Sequence, residues 1–138
     1  MPMFNLFDIA GSGMSAQTLR LNLVASNMAN ADSVSSSTGE TYRSRQPVFA
    51  VQLQNAMQEN GGSAGVQVLG VVESQSALRM EHAPSHPMAN EEGYIFKPNV
   101  NVIEEMANMM SASRSYQNNV EVANTAKQLM MQTLRMGQ

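Results

Sequence analysis

The feature that most constrains the fold of this chain is a long run of helical periodicity near its C-terminal end, from Asn101 to Met136. Apolar residues recur there every seven positions, and others lie three or four positions away, which is typical of an amphipathic helix. Neither Pro nor Gly interrupts the run before Gly137, so the sequence predicts one continuous helix. At about 1.5 Å per residue this helix would span roughly 50 Å. The apolar stripe consists of Val102, Met106, Met109, Tyr116, Val120, Ala123, Met130 and Leu134.

A helix of this length needs a partner, because a domain of about 100 residues has a radius of gyration of only ~13 Å. Ser113 and Lys127 interrupt the stripe, which does not suit a two-stranded zipper with uniformly apolar layers. The charges complement the helix dipole, since Glu104 and Glu105 lie in the first turn and Arg135 lies near the end. The alternative is an ordinary amphipathic helix that lies on a compact core.

A second heptad stripe lies between Phe4 and Ala31, and it is the natural partner of the first. Gly11 and Gly13 each cost a helix about 1 kcal/mol relative to Ala, so we expect secure helix only from about Ser15, with the preceding residues ordering on assembly. We expect residues 15–31 to pack antiparallel against residues 102–134. The stripe consists of Phe7, Met14, Leu21 and Met28, with Ala10, Val24 and Ala31 beside it, and with Asn27 and Asn30 either ending the helix or making specific contacts.

The middle of the chain changes from helical to alternating periodicity after the polar, Ser-rich connector Ala31–Glu40. The composition of Gln58–Gly65 predicts a hairpin loop or a flexible tip. Short strands are predicted at Tyr42–Leu53, Gly65–Glu73, Ala77–His82 and Tyr94–Phe96. Strands so few and short need helices or a neighbouring molecule to cover them.

The fold prediction is therefore a mainly α protein with a small β insertion, in which the N- and C-terminal helices pair as an α-helical coiled coil. Residues 1–32 form the N-terminal helix, residues 33–98 form the connector and the β region, and residues 99–138 form the C-terminal helix.

Composition excludes several function classes. A net charge of -3 with scattered basic residues gives no electrostatic footprint for a nucleic acid or an anionic membrane. The sequence has no apolar run of about 18 residues and no secretory signal at its N-terminus, so composition predicts a cytoplasmic protein without direct membrane insertion. Without Cys there are no disulfides and no thiolate chemistry. The 13 Met residues suit surfaces that meet more than one neighbour, although core filling is the commoner role of any single Met.

No residues support catalysis, a cofactor or a metal. His82 and His86 have a metal-ligand spacing, but Pro84 between them disfavours the helix that this spacing requires. Glu104 and Glu105 do not face each other on a helix, so they do not form a catalytic pair. Nucleophile-elbow, dinucleotide-binding and phosphate-loop motifs are absent. We therefore expect a subunit that is completed by its neighbours, without enzymatic activity.

Two segments of the chain resemble a known family. SAQTLRLNLVASNMANADS, at Ser15–Ser33, resembles the N-terminal signature of the bacterial flagellar axial proteins, which build the rod and hook. PNVNVIEEMANMMSASRSYQNNVEVANTAKQLMMQTL, at Pro98–Leu134, resembles their C-terminal signature, in which Arg114, Tyr116 and Gln117 match an Arg-x-Tyr-Gln core. The short length, ANADS and PNVNVIEEM are most similar to the proximal-rod members of this family.

The resemblance implies a structural subunit of the proximal rod of the flagellar basal body, which spans the periplasm and transmits torque. The implied partners are copies of the chain itself, other proximal and distal rod proteins, a rod-base adaptor and the flagellar type III export apparatus. That export uses no cleaved signal peptide, so synthesis in the cytoplasm is compatible with a place beyond the inner membrane. In this family the terminal helices pair as an inner coiled-coil layer. The alternative is a small helical adaptor or a type III-secreted binding protein without enzymatic activity.

Overall fold

The computed structural model describes residues 2–52 and 65–137. The elements in chain order are helix α1 (Pro2–Ala29), strands β1 (Arg45–Gln52), β2 (Gly65–Glu73), β3 (Arg79–His82) and β4 (Tyr94–Lys97), and helix α2 (Val102–Met136). The fold is therefore mainly α, with two small antiparallel hairpins between the helices in sequence. The predicted loop at residues 58–65 lies outside the described residues, except that Gly65 begins β2. No helix in the described part of the chain is both long and apolar enough to cross a membrane.

Helix α2 is continuous, as the uninterrupted sequence pattern predicted. Asn101 caps its N-terminus, because the Asn101 side chain accepts hydrogen bonds from the backbone N–H groups of Ile103 and Glu104. Acidic residues in the first turn and Arg135 in the last turn complement the helix dipole. Gly137 ends the helix, and its backbone N–H donates to carbonyls of the last turn.

Helix α1 begins at Pro2 and runs through both glycines, so the expectation of secure helix only from about Ser15 is wrong. The reason is tertiary packing. A Cβ atom at Gly13 would lie 2.7 Å from Nδ2 of Asn119 on α2, whereas a Cβ at Gly11 would meet nothing within 4 Å. Gly13 thus allows the two helices to approach closely, and their contact outweighs the low helix propensity of glycine.

The two helices pack antiparallel, as predicted. Gly13 lies against Asn119. Further along α1, Nη2 of Arg20 donates a hydrogen bond of 3.0 Å to Oδ1 of Asn108. Residue numbers thus rise along α1 as they fall along α2. Among the named elements of the described ranges, α1 is the element that α2 contacts, so α1 covers the buried face of α2.

Strands β1 and β2 form an antiparallel hairpin that contacts α1. Its register pairs Arg45 with Glu73 at the open end and contains a bulge after Val48. Near the other end the backbone N–H of Val66 donates to Oγ of Ser12 on α1, at 3.1 Å. Strand β2 has the predicted bounds, whereas β1 starts later than predicted and the predicted last residue of that strand lies outside the described residues.

The second hairpin joins β3 to β4, and the Ser-rich connector adds to it. Ser35 and Phe96 exchange two backbone hydrogen bonds of 3.0 Å, which makes an isolated bridge beside β4. The hydroxyl groups of Ser35 and Thr41 lie 2.6 Å apart and are both buried. Ile95 and Val100 supply the buried apolar side chains of this region. The connector is therefore part of the folded chain.

Candidate assembly surface

The buried face of α2 consists of small and polar residues. Glu105, Ala112 and Ala126 are buried and are spaced by multiples of seven residues. Asn119, which lies against Gly13, belongs to the same heptad column. The distance between two packed helices depends on the side chains at their contact, so this column brings α1 and α2 close together.

Large apolar side chains lie on the outside of α2. Ile103 is 80% exposed, Met110 is 66% exposed and Leu134 is 67% exposed. Extended apolar surfaces of this kind mark contacts with other molecules, because water covers them unfavourably. The exposed apolar residues of α2 are Val102, Ile103, Met106, Met110, Tyr116, Val122, Leu129, Met131, Leu134 and Met136.

A buried amide joins α1 to the start of the first hairpin. Asn27 is only 1% exposed. Its Nδ2 donates to the Arg45 carbonyl at 2.9 Å and to Oγ of Ser44 at 3.3 Å. Its Oδ1 accepts from the Arg45 backbone N–H at 2.9 Å and from the Tyr42 hydroxyl at 2.8 Å. The amide makes these four hydrogen bonds at one junction, so it fixes the hairpin on the helix.

A buried carboxyl group lies next to this amide. Glu105 is 4% exposed, and its Oε2 has no hydrogen-bond partner among the described residues. Burial raises the pKa of the Glu105 carboxyl above its ordinary value, and nearby Glu104 adds to this shift. The Asn27 amide and the Arg20 guanidinium partly oppose it. The first turn of α2 therefore carries an acid that burial disfavours in its charged form.

Two family models match the sequences of the helices. The model described as flagella basal body rod protein matches residues 7–35, and the model described as flagellar basal body rod FlgEFG protein C-terminal matches residues 91–136. Over 138 residues, all of each chain, the sequence is 51% identical to the flagellar basal-body rod protein FlgC of Escherichia coli and 49% identical to that of Salmonella typhimurium. It is 32% identical to the FlgC of Borreliella burgdorferi over 147 aligned positions, which cover 97% of each chain.

The chain belongs to the FlgC family of flagellar basal-body rod proteins. It is accordingly a structural subunit of the rod. The two matched ranges take in most of α1 and all of α2, which are the segments that carried the resemblance in the sequence. The recognition of the flagellar rod family is thus confirmed.

The assembly interface of this FlgC relative is predicted to involve Asn27, Asn30 and the larger residues of the two apolar stripes, together with Ala123, and these residues fall into three groups. Val24 and Asn27 are buried within the chain. The half-buried group consists of Phe7, Met14, Leu21, Met28, Asn30, Met109, Val120, Ala123 and Met130. The exposed group consists of Val102, Met106, Tyr116 and Leu134. Tyr116 belongs to the predicted apolar stripe of α2 but is 36% exposed. Its burial at a helix–helix contact requires a neighbouring subunit and stays a prediction.

The column of α2 residues that faces α1 was not among the predicted stripes. The predicted stripe of α2 follows mostly large apolar residues, whereas the column that α1 covers contains Glu105, Ala112, Asn119 and Ala126. A usable signal was present, because the two alanines flank Asn119 at seven-residue spacing. Small residues at heptad spacing are also a signal of a close helix contact, and large apolar residues are not the only such signal.

The two histidines have structural contacts. The ring of His82 packs edge-on against Tyr94, with ring centroids 4.9 Å apart. Nδ1 of His86 accepts a hydrogen bond from the Met88 backbone N–H at 3.1 Å. Within residues 2–52 and 65–137, no group of three or more His, Cys, Asp or Glu residues is placed to hold a metal ion.

Proposed function

We propose that this rod subunit assembles by packing the outer face of its helix pair against neighbouring subunits. In this arrangement residues 1–32 and 99–138 form an inner coiled-coil layer, and residues 33–98 lie outside it. The supporting observation is that α2 has two different faces. The column that faces α1 contains small and polar residues, whereas large apolar side chains such as Ile103 and Met110 are exposed. Covering apolar surface contributes roughly 25 cal/mol per Å², so neighbouring subunits gain from covering this face.

The proposed partners are copies of this chain, other proximal and distal rod proteins, and a rod-base adaptor. We place the subunit in the proximal rod, across the periplasm, after export by the flagellar type III apparatus without a cleaved signal peptide. Its role is to transmit torque, without enzymatic activity or a cofactor. The resemblance of both helices to the axial family and the names of the FlgC relatives support this proposal.

A paired substitution on the outer face tests the proposal. Ile103→Ser combined with Met110→Ser removes two exposed apolar side chains and leaves the column toward α1 intact. We expect the purified variant to keep the helix content of the parent chain by circular dichroism, while rods and motility are lost in a strain without its own copy. Gln128→Ser, at an exposed polar position of the same helix, is the matched control and should assemble normally.

The same experiment separates a rod subunit from a helical adaptor. An adaptor would bind its partner at a fixed stoichiometry and would not need the whole outer face of α2. Normal rods containing the Ile103→Ser, Met110→Ser variant would contradict the proposed packing.

A further inference from the structure

The second hairpin, formed by β3 and β4, is attached to the molecule differently from the first. Among the helices and strands of the described residues, β3 and β4 contact only each other, whereas β1 and β2 both contact α1. A hairpin of two short strands has little stability of its own. The orientation of the second hairpin relative to the helix pair therefore depends on the segments that connect it to the helices.

One of these segments is the connector that follows α1. Two backbone hydrogen bonds between Ser35 and Phe96 join the connector to β4. Because this bridge uses only backbone groups, a side-chain substitution in β3 leaves it in place. Ser35 lies outside both helices, so the bridge holds the hairpin on the connector without fixing its angle to the helix pair.

Arg79, the first residue of β3, provides the contact with the ends of both helices. Its Nε donates to the Pro98 carbonyl at 3.2 Å, and its Nη2 donates to the Ala31 carbonyl at 3.3 Å. Ala31 lies just after the end of α1, and Pro98 lies shortly before the start of α2. One guanidinium thus joins the second hairpin to the exit of α1 and to the entry of α2.

Both carbonyl groups depend on this donor. Ala31 is 1% exposed and Pro98 is less than 2% exposed, so water has little access to their backbone oxygens. Arg79 is the donor that reaches each of them within the described ranges. A buried carbonyl without a partner costs free energy comparable to a lost hydrogen bond. Arg79 therefore satisfies two buried groups at once, although it belongs to a strand whose residues are all exposed.

The other charged contact of this hairpin has a different role. Lys97 of β4 forms an ion pair with Glu81 of β3, and both side chains are partly exposed. This pair joins the two strands to each other and reaches neither helix. The hairpin thus has one charged contact within itself and one, at Arg79, with the helix ends.

We propose that Arg79 is a positioning residue, which fixes the second hairpin on the helix pair in the orientation that rod assembly requires. The inference rests on the proposed function, because this hairpin belongs to the part of the subunit that is placed outside the inner helix layer. A hairpin that already has its assembled orientation loses less conformational freedom when copies of the chain pack together.

Distances between spin labels test the positioning. The chain has no Cys, so labels attach only at introduced positions. Ser85→Cys, between β3 and β4, is combined with Ser111→Cys at an exposed position of α2, and the distance is measured in the purified full chain by double electron–electron resonance. Arg79→Met keeps an unbranched side chain and removes both donors. We expect one narrow distance in the parent chain and a distribution about twice as broad in Arg79→Met, since the hairpin then opens locally.

Two controls separate positioning from general loosening. Glu81→Gln removes the ion pair within the hairpin and should leave the distribution narrow. Labels at Gln67→Cys in β2 and Ser111→Cys should keep the parent distance in Arg79→Met, because the first hairpin contacts α1 directly. A parent-like Ser85–Ser111 distribution in Arg79→Met would overturn the inference, and so would equal broadening of both distances. If circular dichroism shows that Arg79→Met does not fold, Arg79→Lys, which keeps one cationic donor, replaces it under the same criteria.

Competition for incorporation tests the consequence for assembly. Parent and Arg79→Met chains are expressed in one strain, and their ratio in isolated basal bodies is compared with their ratio among secreted chains by mass spectrometry. We expect Arg79→Met to be depleted about tenfold, because a loose hairpin must be ordered when it binds. Glu81→Gln should be incorporated like the parent chain.

The outcomes separate the two proposals. If the parent chain builds rods and Arg79→Met is incorporated equally well, the role of Arg79 in assembly is refuted and the proposed function stands. If the parent chain is secreted but is absent from the rods of the same strain, the proposed function fails.

Discussion

The side-chain amide of Asn27 pairs with the backbone of Arg45 as a neighbouring β-strand would. Oδ1 accepts from the Arg45 N–H and Nδ2 donates to the Arg45 carbonyl, both at 2.9 Å. Arg45 is the first residue of β1, so a helix residue provides the backbone pairing that starts the strand. This two-point contact joins the helix pair to the hairpin with a defined register.

Replacing Asn27 by Ala should therefore destabilise the monomer strongly. The Arg45 N–H and the Arg45 carbonyl would lose their partner at a site where Asn27 is almost fully buried, whereas the Tyr42 hydroxyl would keep Ser26 Oγ at 3.3 Å. Each unsatisfied buried group costs ~1–3 kcal/mol, so we expect a loss of about 3 kcal/mol in the free energy of unfolding, measured by urea denaturation. Asn22→Ala, at an exposed position of the same helix, should change it little. Equal effects of the two substitutions would show that the Asn27 amide is not structurally important.

The two glycines of α1 should respond differently to alanine. Gly11→Ala adds a methyl group in open space and should stabilise the monomer by about 0.5–1 kcal/mol. Gly13→Ala places its Cβ 2.7 Å from Nδ2 of Asn119, so the Asn119 side chain must move and the gain should be lost. Thermal unfolding of both variants beside the parent chain measures the difference. A Gly13→Ala variant as stable as Gly11→Ala would mean that the Asn119 side chain moves aside at little cost, so that its contact does not require glycine at this position.

The secondary structure was largely predictable, because it depends on local pattern. The bounds of β2 and the continuity of α2 follow from apolar alternation and from the absence of Gly and Pro. The start of α1 was not predictable in this way. Local propensity penalises Gly13, and only the contact with Asn119 on a distant part of the chain explains why a glycine belongs there.

The residues that form the contact between the two helices were harder to predict from the sequence than the helices themselves. Apolar periodicity identifies a surface that needs a partner, but it does not say which partner covers it. In this chain most of the large apolar residues of α2 are exposed, so α1 does not cover them. Glu105 and Asn119 gave no apolar signal, since the burial of Glu105 and the half-burial of Asn119 depend on the approach of α1, which is close at Gly13. The distinction between contacts within the chain and contacts between subunits appears only once the chain is folded.

Glu105 should make monomer stability depend on pH. Its pKa is raised above 4.5 in the folded chain, so between 4.5 and the raised value the native state binds more protons than the unfolded state. Stability therefore falls as the pH rises through this window and stays lower above it. Glu105→Gln should remove this dependence and stabilise the monomer at neutral pH, as measured by urea denaturation across pH 4 to 8, roughly the range of carboxyl titration.

Glu81 provides the control for the direction of this effect. Its hydrogen bond and charge contact with Lys97 lower its pKa, so its contribution to the stability of the folded chain is lost as the pH falls. This loss should be the same in the parent chain and in the Glu105→Gln variant. An unchanged pH dependence in Glu105→Gln would show that burial of this carboxyl does not limit stability.

Tyr116 tests the boundary between packing within the chain and packing between subunits. It is 36% exposed in the single chain, although Met109 and Ala123 of the same heptad column are half-buried. Tyr116→Ala should therefore cost the monomer only about 1 kcal/mol, the typical effect of a point substitution, rather than the ~3–5 kcal/mol of a fully buried aromatic. If neighbouring subunits cover the ring, the main loss appears as failed rod assembly and absent motility, while export of the chain continues.

Tyr116→Phe keeps the ring and removes the hydroxyl, so it separates the apolar area from the hydrogen bond that a buried tyrosine usually makes. Urea denaturation of the monomer, secretion and swimming in soft agar are compared for both variants at equal expression. Secreted Tyr116→Ala subunits that build rods as efficiently as the parent chain would exclude Tyr116 from the assembly interface.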